Sequence, residues 1–202
     1  MLNVVTLSIF EILLGIGWGI MISLYAYHII LRDLEEVYGI LALITSLASV
    51  LSIFISGILY NHSGGKLLMP IAAISLSTAL LTLSHADFLL ISLLLGLSAG
   101  IHGVSSVLAA SNLDGDYRRY SAVHSSHLLG FSIGSLLVFL TLAGVFLIPL
   151  VLAIVLAGII YPKFISQSNK IAINSEVKGV PSLYLNIVIF TLLRRRNWDV
   201  GI

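Results

Sequence analysis

The chain contains no cysteine, which excludes disulfide staples, thiolate metal sites and attachment points for palmitoyl or prenyl chains. Leu2, directly after the initiator Met1, likewise excludes N-myristoylation. Charge is the second shortage: 9% of the 202 residues are charged, against about 25% in soluble domains. The sequence also lacks a nucleophile motif, a phosphate loop and a nucleotide fingerprint, so no enzymatic activity is expected. No His-x-x-x-His or Glu-x-x-His spacing occurs, and the sequence by itself calls for no metal and no cofactor.

What the chain has in abundance is apolar surface. Hydrophobic residues make up 58% of it and the mean hydropathy is +1.10, more than a soluble core absorbs. Apolar runs fall at 4–30, 37–60, 67–83, 88–110, 121–142 and 145–161, each near the roughly 20 residues that cross a bilayer as a helix. Six transmembrane helices are therefore expected. Polar breaks separate the first five runs: Arg32 to Glu36, Asn61 to Lys66, Ser84 to Asp87 and Asp114 to Arg119. Only Ala143, Gly144 and Pro149 mark the last break. The first run has no basic segment before it and is too long for a signal peptide, so it reads as a retained span.

Orientation follows from the basic residues, which short loops keep on the cytoplasmic side. With the N-terminus inside, Lys66, Arg118, Arg119, Lys163, Lys170, Lys178, Arg194, Arg195 and Arg196 are all cytoplasmic, and Arg32 alone lies outside. Three segments result: a six-helix bundle over 1–162, a polar cytoplasmic linker over 163–181, and an amphipathic segment with a basic tail over 182–202. The apolar part of that last segment, 182–193, reaches only about 18 Å as a helix, too short to span. With Arg194 to Arg196 behind it, it is expected to lie in the cytoplasmic interface on anionic headgroups. The expected location is a multi-pass membrane position, in the plasma membrane, with both termini cytoplasmic. Headgroup contact accounts for the terminal arginines, and no nucleic-acid partner is expected.

The second inner loop, 57–66, resembles the loop between the second and third helices of the major facilitator superfamily. Gly57, Gly64 and Lys66 match the family pattern outright, while Asn61 stands where the family has Asp, and His62 and Gly65 where it has basic residues. The run Leu94 to Gly100 and the loop ending in Arg118 and Arg119 resemble the family's fourth helix and the loop after it. Leu192 to Trp198 resembles the start of its seventh helix. The resemblance implies an all-α membrane protein, the N-terminal six-helix half of a twelve-helix secondary transporter. In that plan the first and fourth helices line the cavity, the second and fifth face the other half, and the third and sixth are peripheral. It also implies that Gly57, Asn61, His62, Gly64 and Lys66 form a cytoplasmic gating loop. Two departures count against drug–proton antiport: Ser92 occupies the place of an arginine, and Ser135 follows Gly134 where those antiporters have a Gly-Pro element.

Three Gly-x-x-x-Gly pairs, Gly15/Gly19, Gly96/Gly100 and Gly130/Gly134, put small residues one turn apart on the first, fourth and fifth helices. They are expected to permit close helix packing, with dimerisation or gating as the competing role. Ionisable groups inside spans cost at least ~2.5–3.5 kcal/mol at the centre of an isolated helix. Glu11, His102, His124 and His127 are such groups, and counting 1.5 Å per residue from the cytoplasmic ends puts all four about 7–12 Å deep. Coincident depth makes them a candidate substrate-binding or proton-relay cluster. The competing reading is that the histidines bond neighbouring backbone or interfacial water and that Glu11 snorkels. His28, His85, Trp18, Tyr25 and Tyr27 read more simply as interfacial residues, although the last three are also candidates for a cavity wall.

Two functions remain open at this level. One is a transporter half that moves a small solute by alternating access with a second half, from another copy or a separate chain. The other is a non-transporting truncated protein or accessory subunit that uses the bundle as an interaction surface.

Overall fold

A helix satisfies its backbone donors and acceptors within one segment, which an apolar surrounding demands. The structure is a computed structural model that describes residues 2–63, 66–85, 87–111, 117–141 and 147–162. Among these it is all-helical: α1 (Leu2–Leu31), α2 (Glu35–Ser63), α3 (Leu68–Thr82), a 3-10 turn at Leu83–His85, α4 (Phe88–Ser111), α5 (Tyr117–Thr141) and α6 (Leu147–Ile160). The linker expected over 163–181 and the interfacial helix expected over 182–202 lie outside the described residues.

Local chemistry sets the helix ends. Asp33 adopts a left-handed φ of 53°, which Asp tolerates better than most side chains. Its N–H donates to the Ile30 carbonyl at 3.1 Å and that of Leu34 to the Ile29 carbonyl at 3.0 Å, the paired bonds that close a helix C-terminus. The chain then re-enters a helix at once, with Glu35 and Glu36 in the first turn of α2, where the helix dipole favours negative charge. Asp87 starts α4 by accepting the Leu90 N–H on Oδ1 at 3.0 Å, a side-chain N-cap.

Among the described residues, three helical segments are long and apolar enough to cross a membrane: Val4–Leu31, Glu35–Tyr60 and Phe88–Leu108. The other three differ from the even lengths expected. α3 has 15 residues and the described part of α6 has 14, which gives about 21–22 Å against a hydrocarbon layer of about 30 Å. α5 has 25 residues, but His124, His127 and several serines dilute its apolar character. α2 also runs on through Ser63, so Gly57, Asn61 and His62 sit in its closing turns and not in a loop. Nothing around Gly57 forces the helix to break, since a side chain there would meet open space. Lys66 is exposed, and Gly64 lies outside the described residues.

α1 packs chiefly on α5, α4 on α2, α4 on α3, α1 on α6, and α3 on α6. Exchanging α1 with α4, α2 with α5 and α3 with α6 maps these pairings onto one another, so the bundle is built by matching contacts between two three-helix halves, α1–α3 and α4–α6. Glycine makes the two tightest seams. A methyl group at Gly15 or Gly19 would collide with the His127 or Phe131 carbonyl of α5, and one at Gly130 or Gly134 with the Ile12 or Ile16 carbonyl of α1. Gly96 and Gly100 of α4 meet the Thr45 and Ser49 carbonyls of α2 in the same way. All three Gly-x-x-x-Gly pairs thus lie at backbone contacts.

The outside of the bundle is apolar. Phe54 on α2 is 67% exposed and Leu136 on α5 77%, with Leu43, Leu47, Leu51 and Ile58 also open on α2, a continuity that soluble surfaces rarely show. α2 is the least enclosed of the three long apolar segments. α3, which the family plan places at the periphery, has nine of its fifteen residues buried. Its small residues Ala72, Ala73, Ser75, Ser77 and Ala79 explain this, because they let it nest against α4 and α6.

Candidate functional site

Glu11 lies one turn before Gly15 on α1, and the Gly15 contact draws α5 in until His127 stands beside it. Glu11 is 1% exposed as a residue. Its Oε2 is 3.1 Å from His127 Nδ1 and 3.0 Å from His102 Nε2 on α4. Its Oε1 accepts the Tyr161 hydroxyl, just past α6, at 3.0 Å. Side chains from α4, from α5 and from just past α6 therefore converge on one side chain of α1. A buried carboxylate costs several kcal/mol unless its lone pairs are met, and here both oxygens carry partners.

The partners are themselves held. The His102 and His127 rings lie 4.7 Å apart at 30°, and Tyr161, fully buried, packs its ring against Phe10 at 6.2 Å. When His102 carries its proton on Nε2 and His127 on Nδ1, both rings donate to the same oxygen, and with both imidazoles and the phenol neutral the cluster then holds a net charge of −1. Beside it is a cavity of about 180 Å³ lined by Glu11, His102, Gly103, Ser106, Val123, His124 and His127. The histidine side chains keep 14% and 16% exposure and the glutamate 2%. The cluster is thus sealed on the glutamate side and open on the imidazole side.

Of the four residues placed at one depth by sequence, Glu11, His102 and His127 meet directly. His124, one turn before His127, lines the same cavity but is exposed. Tyr161 is the member that sequence reasoning missed. It ends the sixth apolar run on the side where Glu11 lies in the first, so a hydroxyl at that depth is the signal in the sequence that points to it. The absence of a metal-ligand spacing within one helix likewise hid a cross-helix set. Glu11, His102 and His127 each offer one ligand atom, all within 4.8 Å of one another.

A second polar pair joins α1 to α4 away from the glutamate. Tyr25, buried, shares a 2.7 Å hydrogen bond with Ser92, and Ser92 also donates to the Phe88 carbonyl at 2.7 Å. Tyr25 is therefore a packed core residue, whereas Tyr27 is 42% exposed. Farther along α4, Ser98 donates to the Ala72 carbonyl of α3 at 2.9 Å. No family model, curated protein or solved structure matches this chain. What the cluster does must be read from its own geometry.

Proposed function

We propose that the chain crosses the membrane six times, N-terminus inside, and forms a six-helix unit of a major-facilitator-type secondary transporter. The unit would move a small solute by alternating access with a second unit, and the Glu11 cluster would be the centre where the solute or coupling ion binds. The observation that carries this reading is Glu11 itself: a buried carboxylate, held by side chains from α4, from α5 and from just past α6, beside an open cavity. Ionisable groups are costly in a membrane interior and are kept there for ion and solute pathways. The matched three-helix packing supports it, because transporter folds are commonly built from repeated units with the binding site between them. The exposed apolar faces of α2 and α5 also agree with the family plan, in which these helices meet the other half.

Uptake of a panel of labelled solutes into cells producing the chain, under an imposed pH gradient, tests the reading. Gradient-driven uptake of one solute class should be lost in Glu11→Gln at equal membrane abundance. Uptake unchanged in that variant contradicts the role of Glu11. The detergent-solubilised mass separates this reading from an accessory subunit: two copies, or one copy with a second six-helix chain, is expected, and a strict monomer argues against transport.

A further inference from the structure

We propose that Glu11, His102 and His127 are the ligands of a divalent transition-metal ion of the zinc type, with Tyr161 positioning the carboxylate from its far side. The proposal rests on reading the cluster as a binding centre, as above, but on side-chain geometry and not on transport.

Zinc bonds to imidazole nitrogen and carboxylate oxygen are about 2.0–2.1 Å long, which at tetrahedral angles puts neighbouring ligand atoms about 3.3–3.4 Å apart. His102 Nε2 and His127 Nδ1 already stand 3.0 and 3.1 Å from Glu11 Oε2, and the three ligand atoms lie within 4.8 Å of one another. With each imidazole's proton on its other nitrogen, Nδ1 of His102 and Nε2 of His127, both facing nitrogens present lone pairs, and small side-chain rotations accommodate an ion among the three ligand atoms. Two imidazoles and one carboxylate are the donor set of open zinc sites, in which three protein ligands leave the fourth position to water or cargo. Here all three ligands line the cavity, so the fourth position opens there. At about 180 Å³ the cavity holds several waters at about 30 Å³ each, so the ion can arrive partly hydrated.

Charge points the same way. With neutral imidazoles and a neutral phenol, the buried glutamate brings a net −1 to the cavity wall, and a divalent cation reverses it. The nitrogen donors select zinc, cobalt, nickel or copper over magnesium and calcium, which prefer oxygen ligands. Tyr161 bonds Oε1, leaving Oε2 for the metal and fixing the orientation of the carboxylate, as outer partners of metal ligands do.

The test is a titration of the full-length, tag-free chain in detergent with Co²⁺, whose visible absorption intensifies in tetrahedral sites. One Co²⁺ per chain is expected, displaced by Zn²⁺ and not by excess Mg²⁺ or Ca²⁺. The band should vanish in Glu11→Gln and His127→Ala, persist in His85→Ala, and require about 10–100-fold more Co²⁺ in Tyr161→Phe. Circular dichroism establishes which variants keep their helices. Should the cluster variants unfold, the wild type carries the test through Zn²⁺-dependent thermal stabilisation, which should be present in His85→Ala too. No Co²⁺ band and no stabilisation by Zn²⁺ in the wild type, or a band retained in folded Glu11→Gln and His127→Ala, overturns the proposal. Gradient-driven uptake without metal binding refutes the metal site and leaves the transporter reading standing. Metal binding without uptake does the reverse.

Discussion

The α1–α5 seam and the α4–α2 seam are matching joints between the two three-helix halves, and they are closed by the same device, glycine against carbonyl. Their polar groups are used differently. On α2, Thr45, Ser52 and Ser56 donate to carbonyls four residues back in their own helix, so that seam is chemically self-contained. On the α1 side, Glu11 finds its partners on α4 and α5 and just past α6. One seam is only packed, while the other is packed and bonded to a polar centre. Identical backbone approach can therefore serve structure alone at one seam and position a reactive cluster at the other.

The largest effect should come from breaking what the two seams share. Gly130→Leu and Gly100→Leu each push a side chain into backbone that cannot yield, and each is expected to cost about 3 kcal/mol or more, read as detergent-phase thermal unfolding by circular dichroism. A large loss at one site and none at the other would break the equivalence of the seams. Next comes the difference between them. Glu11→Ala leaves the donors of His102, His127 and Tyr161 unmet and should cost about 2 kcal/mol, whereas Ser52→Ala removes a bond within one helix and should stay within about 0.5 kcal/mol. Comparable losses would mean that the glutamate is no more a joint than the serine is.

Smaller effects sharpen the picture. Ser98→Ala removes the bond from α4 to the Ala72 carbonyl of α3 and should cost about 1 kcal/mol, measured in the same unfolding assay. Gly57→Ala should stabilise α2 by about 0.5–1 kcal/mol, because a methyl group there meets open space. Destabilisation by that alanine would mean that position 57 needs glycine, as a loop would.

Much of this was legible in sequence. Six apolar runs mark the six helices, and glycines four apart mark the close seams, because both signals depend on local spacing. The shared depth of Glu11, His102 and His127 could be counted along each helix, so their meeting was within reach. Other features depended on neighbours. Tyr161 joins the cluster through the packing of α6 on α1, which no local pattern encodes. The enclosure of α3 follows from small residues whose value appears only when α4 and α6 close over them. The helical course of 61–63 was obscured by polar residues that read as a turn, while at Gly57 a side chain would meet open space.

The central claim is that Glu11 ties together helices far apart in sequence, and a double-mutant cycle on Glu11→Gln and His102→Asn tests it most directly. The residues are 91 positions apart and 3.0 Å from each other. Unfolding free energies of the two single variants and the double should be non-additive by about 1–3 kcal/mol, the range for groups in one hydrogen-bonded network. Additivity within about 0.5 kcal/mol, the behaviour of independent sites, would contradict the claim.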